Sequence, residues 1–120
     1  MNSIKLPVSA PFHGKLMENA TKTMKEEIEK VNFIDGKNVL ISNVTADEIA
    51  DKNILKSLLI EQIENRVRWR ESILKMIDKG VNKFVEIGPG KVLSGLVKRI
   101  NKEVKISTIN TESDIKELKI

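Results

Sequence analysis

The residue best suited to move a proton near neutral pH is His13, the only histidine in the sequence. It lies in Ala10-Pro11-Phe12-His13-Gly14, where proline and glycine mark a loop. A histidine base needs a nucleophile to deprotonate and a third group to hold its ring. The residue pattern alone identifies neither. Ser42, Ser72 and Ser94 are hydroxyls without an elbow, because no Gly-x-Ser-x-Gly occurs in the chain. With no cysteine, thiolate catalysis, disulfides and cysteine-ligated metals are excluded. The acids are scattered over polar helix faces and form no cluster with metal-ligand spacing. Taken by itself, His13 also fits a residue that caps the next helix or lies on the surface.

A second segment invites a chemical reading. Glu86-Ile87-Gly88-Pro89-Gly90-Lys91-Val92-Leu93-Ser94-Gly95 places glycines between a strand-like and a helix-like stretch, as phosphate loops do. The match is poor. Leu93 stands where a dinucleotide fingerprint needs its third glycine, the Walker spacing is absent, and Pro89 has no amide to donate. A tight structural turn fits better than a phosphate cradle. Trp69 falls in phase with an apolar helix stripe, which predicts core packing.

The elements that position these residues alternate between strand and helix. Ile4-Lys5-Leu6-Pro7-Val8-Ser9 predicts a short strand, weakened by Pro7. Leu16, Ala20, Met24 and Ile28, widened by Met17, predict an amphipathic helix to about Lys30. Val39 to Val44 reads as a largely buried strand, and Thr45-Ala46-Asp47-Glu48 as turn and cap chemistry. A second helix carries Ile54, Leu55, Leu58, Leu59 and Ile63, with Asp51 or Asn53 as its cap. A third carries Trp69, Ile73, Leu74 and Ile77 and stops at Gly80. Phe84 to Ile87 is a strand, Val92 to Ile100 a helix, Val104 to Ile109 the last strand, and a short helix starts near Glu112. Strands separated by helices predict a parallel sheet covered on both faces, with chemistry at the carboxyl ends of its strands. Two loops leave such ends with distinctive residues, Pro11-Phe12-His13 and Gly88-Pro89-Gly90.

The chain has 120 residues, the size of one ordinary domain, with no internal repeat and no interdomain linker. Hydrophobic residues at 40% and charged residues at 32% predict a soluble globular protein. Aromatics at 3% leave the packing to aliphatic side chains. No apolar run reaches the ~20 residues that span a bilayer, and no signal-peptide pattern follows Met1, so a cytoplasmic protein without membrane partners is expected. The net charge of +4 reads as a lysine-rich surface or as a match for an acidic partner. Basic residues interleaved with stacking aromatics, as nucleic-acid binding requires, are missing.

Three blocks, in this order, resemble one family. Leu6-Pro7-Val8-Ser9-Ala10-Pro11-Phe12-His13, followed by Leu16-Met17, is similar to the catalytic-histidine segment of malonyl-CoA:acyl-carrier-protein transacylases. Ser42-Asn43-Val44-Thr45-Ala46 resembles their central strand and turn. Val67-Arg68-Trp69 and then Glu86-Ile87-Gly88-Pro89-Gly90-Lys91-Val92-Leu93-Ser94-Gly95-Leu96 resemble their closing segment. The resemblance covers nearly the whole chain and implies that residues 1–120 form the C-terminal part of the acyltransferase domain. The fold it implies is part of an α/β-hydrolase-like large subdomain, a mostly parallel sheet flanked by helices, with the ferredoxin-like subdomain absent.

In that family a serine on a Gly-His-Ser-x-Gly elbow takes the malonyl group from malonyl-CoA. The phosphopantetheine thiol of acyl carrier protein then accepts it, in fatty acid synthesis. The resemblance implies that His13 is the base and that the Gln62 backbone carbonyl orients its ring, as the acid does in a triad. On that account substituting the Gln62 side chain is expected to cost little. Phe12 matches a position that favours malonyl over branched units, and Asn43 falls near the active site without a catalytic step. Malonyl-CoA is a substrate, and no cofactor is implied.

The family's serine, its oxyanion donors and its malonyl-binding arginine lie upstream of the matched segment, so this chain alone is expected to be inactive. Arg66 stands where the family usually has proline. The expected partners are malonyl-CoA, acyl carrier protein and a separate N-terminal half of the enzyme or a second copy. Open sheet edges and apolar helix faces would then make the isolated chain marginally stable. Two other readings remain: a non-catalytic remnant that binds acyl carrier protein or another protein, and an unrelated nucleotide-binding domain resting on Gly88-Pro89-Gly90.

Overall fold

The computed structural model describes residues 17–118. The expected strand Ile4 to Ser9 and the loop bearing Phe12 and His13 lie outside the described residues. The chain divides into two compact units, the first running through Trp69 and the second starting at Arg70.

In the first unit, α1 (Glu18–Lys30) follows the predicted stripe. It is thinly packed: Ala20 and Ile28 are half-buried, Met24 is exposed, and no residue of the helix is fully buried. α2 (Lys52–Glu61) starts where Asp51 accepts hydrogen bonds from the Asn53 and Ile54 amides at 2.8 and 2.9 Å. That cap satisfies two of the helix's first orphan donors. Ile63 falls beyond the end of α2, in the turn that follows. The two helices are tied by Lys56, whose ammonium donates to the Glu29 carbonyl at 3.1 Å and lies 5.7 Å from the Phe33 ring centroid.

The expected buried strand over Val39 to Val44 is corrected by the structure. Only β1 (Leu40–Ile41) is extended, and it pairs antiparallel with β2 (Glu48–Ile49), Leu40 opposite Ile49. Val39 is 70% exposed. The cause is local. The Ser42 hydroxyl accepts from the Val44 amide at 3.1 Å, the Ser42 amide donates to the Asp47 carbonyl, and the Ala46 amide donates to the Ser42 carbonyl. These bonds turn the chain back before the strand can extend. Ala46 sits in the turn at φ 55° with its methyl buried, a conformation that non-glycine residues adopt only when the surroundings hold them there.

The second unit follows the expected alternation closely. α3 (Trp69–Asp78) begins at the boundary and ends in a Schellman arrangement. The Gly80 amide donates to the Ile77 carbonyl and the Val81 amide to the Met76 carbonyl, with Gly80 at φ 93°. Arg66 does not disturb the start of α3, because residues 66–68 are non-helical and the helix begins after them. β3 (Lys83–Ile87), α4 (Val92–Ile100) and β4 (Lys105–Ile109) form a β-α-β unit whose strands pair in parallel, Val85 opposite Ser107. α5 (Glu112–Glu117) closes the described chain behind a capping box. There Thr111 accepts from the Asp114 amide, and Asp114 accepts from the Thr111 and Asn110 amides at 2.8 Å. Ile73, Val97, Val104 and Ile109 are the buried aliphatics of this unit, with Ile73 only 2% exposed.

Among the described residues the outer edge of β3 carries no partner strand. The Lys105 amide donates to the Asn82 carbonyl and the Gly88 amide to the Ile109 carbonyl. In a parallel ladder this makes the main-chain groups of Phe84 and Glu86 face β4, while those of Lys83, Val85 and Ile87 face the opposite edge. Ile87 is 79% exposed and Val92, just beyond the turn, 75%. A mostly parallel sheet, expected from the alternation, is present among the described residues as a two-stranded parallel piece in the second unit, and the first unit holds a two-stranded antiparallel hairpin.

Candidate functional site

Gln62 and Asn43, far apart in sequence, are in direct contact. The Asn43 Nδ2 donates to Gln62 Oε1 at 3.1 Å. Gln62 is the C-cap of α2, at φ −62° and ψ −18°, where the chain leaves the helix. Carbonyls in the last turn of a helix have no amide four residues on within the helix to bind them. The amides of the turn that follows go to earlier carbonyls: Ile63 to Ile60 at 3.3 Å, and Glu64 and Asn65 to Glu61 at 3.2 and 3.1 Å.

Arg68 completes the arrangement. Its amide donates to the Asn43 carbonyl at 2.9 Å, and its guanidinium Nη1 donates to the Thr45 carbonyl at 3.0 Å. The turn after β1 is thus bonded to both ends of the segment 62–68. Sequence reasoning singled out Asn43 and Gln62 but gave Arg68 no role. The available signal was an arginine in a non-helical stretch between two helices, where carbonyls of a neighbouring turn need donors. His13 and Phe12 lie outside the described residues, so their places relative to Gln62 and Asn43 are not part of this geometry.

The Glu86-to-Ser94 loop has a different construction. Lys91, at the N-cap of α4, makes no side-chain cap. The Glu86 carboxylate takes that role from the strand, accepting from the Leu93 amide at 3.1 Å and the Ser94 amide at 2.7 Å. The Ser94 hydroxyl beside it, buried without a well-formed hydrogen bond among the described residues, and the Ser94 amide, bound at 2.7 Å, lower the Glu86 carboxyl below the ordinary glutamate range most strongly. The Leu93 amide adds to this, and partial desolvation opposes it. Gly88 at φ 133° and Gly90 at φ 87° let the chain turn tightly enough for the carboxylate to reach the helix. The amides that would cradle a phosphate are therefore held by a carboxylate of the same chain, which supports the structural-turn reading of this segment. The missed signal was an acid just before a glycine turn whose helix lacks a capping residue of its own.

Trp69, expected in the core, is half-buried at the start of α3; its Nε1 is buried with no partner among the described residues. An open groove of about 480 Å³ in the first unit is lined by Ile34, Val39, Leu40, Ile49 and Leu55 among others. Neither Asn43 nor Gln62 lines it. Among the described residues no group of acids forms a metal site, and no helix is long and apolar enough to cross a membrane.

No protein-family profile matches the chain. Individual proteins do. A malonyl CoA-acyl carrier protein transacylase of Bacillus subtilis is 45% identical over 113 residues, covering 94% of this chain and 36% of that protein. The crystal structure of an acyl-carrier-protein S-malonyltransferase from Bartonella henselae superposes with a TM-score of 0.85 at 46% identity, covering 93% of this chain and 36% of that one. A malonyl-transacylase solved in complex with its type II PKS acyl-carrier protein gives a TM-score of 0.82 at 31% identity, covering 92% of this chain and 36% of that one. The chain is thus similar over nearly its whole length to these transacylases, and it spans about 36% of theirs, their C-terminal portion.

Proposed function

We propose that this chain supplies the histidine-bearing part of a malonyl-CoA:acyl-carrier-protein transacylase. The observation that carries the reading is similarity to such enzymes across 94% of the chain. The contact between Asn43 and Gln62 adds support, because two residues singled out by resemblance alone meet in the fold. In this reading His13 takes the proton of a serine that lies in the part of the relatives this chain does not span. The serine attacks the malonyl thioester of malonyl-CoA, coenzyme A leaves as its thiol with the proton given back by His13, and a malonyl-serine ester forms. The phosphopantetheine thiol of acyl carrier protein then attacks that ester, and the serine recovers its proton through His13. The Gln62 carbonyl would hold the imidazole in the correct tautomer, and Phe12 would crowd branched acyl groups, a preference worth about 1–3 kcal/mol.

The remaining part of the enzyme would add a strand to the outer edge of β3, where Val85 and Ile87 present main-chain groups and Ile87 is 79% exposed. An edge of this kind suits a strand that is interior in the assembled sheet.

The test is malonyl transfer from malonyl-CoA to carrier protein. It is run with the chain alone, with the chain mixed with a separately made N-terminal part of a relative, and with His13→Ala in the same mixture. Transfer should occur only in the mixture and fall by at least ~100-fold with His13→Ala. An assembled mixture without activity would leave the chain as a non-catalytic binding remnant, and activity of the chain alone would mean that the nucleophile lies within it. Failure of the two parts to co-elute would remove the β3 pairing.

A further inference from the structure

We infer that Asn43 and Arg68 are positioning residues that fix the main chain at Gln62, and that the Gln62 side chain is part of this clamp rather than dispensable. The inference rests on the transacylase reading above. A carbonyl that orients an imidazole must be held to within a fraction of an ångström. Gln62 sits where that is hardest, at the last turn of α2, which helices hold least firmly. Within the turn itself, Asn65 binds back to Glu61 through both its amide and its side-chain Nδ2, at 3.1 and 2.8 Å. Those bonds shape the turn but do not hold it against anything else.

The anchors come from the turn after β1. Asn43 uses its side-chain amide on Gln62 and its carbonyl on Arg68, so one residue spans both ends of the segment 62–68. The Arg68 guanidinium adds a third point at the Thr45 carbonyl. The turn suits this work because it is stiff. Its Ser42 is 5% exposed with the hydroxyl bound to the Val44 amide, and Ala46 is buried in the left-handed region. The Gln62 side chain is the lever by which a rigid turn controls a helix end, so removing it should matter although the proposed acceptor is the main chain.

The experiment uses a single polypeptide in which this chain replaces the matching segment of the Bacillus subtilis relative, so that assembly is not a variable. Asn43→Ala and Gln62→Leu should each lower kcat about 3–10-fold, the scale of one lost hydrogen bond, with KM for malonyl-CoA unchanged within about twofold. The double variant should be no slower than either single one, because both remove the same bond. Gln62→Glu keeps an acceptor for the Asn43 amide and should restore most of the rate, which a merely destabilised fold would not do. Arg68→Lys should fall between, since it keeps the charge and loses the planar donor fork. Singles whose losses multiply in the double variant, or KM rising in step with kcat falling, would overturn the clamp. So would Asn43→Ala with unchanged kinetics in an active parent. An inactive parent would instead overturn the transacylase reading, and the clamp's catalytic role with it.

Discussion

The loops that follow β1 and β3 are built on opposite plans. The loop after β3 carries the glycines that suggest a ligand, yet its helix amides are already bound to Glu86 of the same unit. The loop after β1 carries no glycine and looks like an ordinary turn, yet it reaches out to Gln62 and Arg68. Glycine content reports how tightly the backbone turns. It does not report whether the polar groups exposed by the turn are already spoken for. The units around them differ too. The second holds Ile73, Val97, Val104 and Ile109 buried along a β-α-β frame, whereas the first buries only Ala46 and Leu58 among its described hydrophobic residues. The second unit therefore has the larger buried core, and the first holds a candidate site on a thinner one.

The largest effect that tests this contrast is in the cores. Ile73→Ala should cost about 2–5 kcal/mol, since its side chain has no exposed path by which the site could relax. Leu58→Ala, at 9% exposure against 2% for Ile73, should cost less. Urea titration of the full chain measures both, and a larger loss at Leu58 would reverse the ranking of the units.

A smaller effect is expected at the glycine turn. Gly90→Ala should cost about 1–2 kcal/mol through backbone strain alone. Gly90 has φ 87°, and a methyl group there would meet nothing within 4 Å. Calorimetry with the chain and with added nucleotide separates the two readings of the loop. No nucleotide should bind either the parent or the variant, and binding by the parent that Gly90→Ala abolishes would make the loop a ligand site after all.

The smallest effect concerns acid. The Glu86 and Asp114 carboxyls are held below their ordinary values by helix-terminal hydrogen bonds. A depressed folded-state pKa contributes stability that is present above the unfolded value and is lost as pH falls through the folded one. The stability of the chain should therefore fall from the ordinary carboxylate range downward. Glu86→Gln should lower the melting temperature at about pH 7 more than at a pH below the folded-state value of Glu86, where the parent has lost the charge. Equal shifts at the two pH values would mean that the carboxylate charge does not stabilise α4.

Much of the fold was legible in the sequence because local signals agreed with one another. The i, i+4 stripe of Ala20, Met24 and Ile28, the Asp51 cap, the stop at Gly80 and the strand-turn-helix at Glu86 to Leu96 all appear where expected. Each depends on neighbours within a turn or two, and such preferences are written into residue type. The failure came at Val39 to Val44. A six-residue stretch read as a strand was cut to two by the Ser42 hydroxyl and the Asp47 carbonyl, and short apolar runs do not reveal where a side chain will capture the backbone.

Residue type and spacing were enough to place the helices, to make β3 and β4 parallel and to reveal the likeness to transacylases. The packed fold was needed to bring Asn43 to Gln62 across 19 residues, to bond Arg68 to the Asn43 and Thr45 carbonyls of the same turn, and to set Glu86 on the helix terminus a phosphate would need. The physical reason is range. Capping, turning and periodicity are decided within a few residues of chain, whereas a side-chain hydrogen bond between distant segments exists only after packing has fixed both partners' positions and directions.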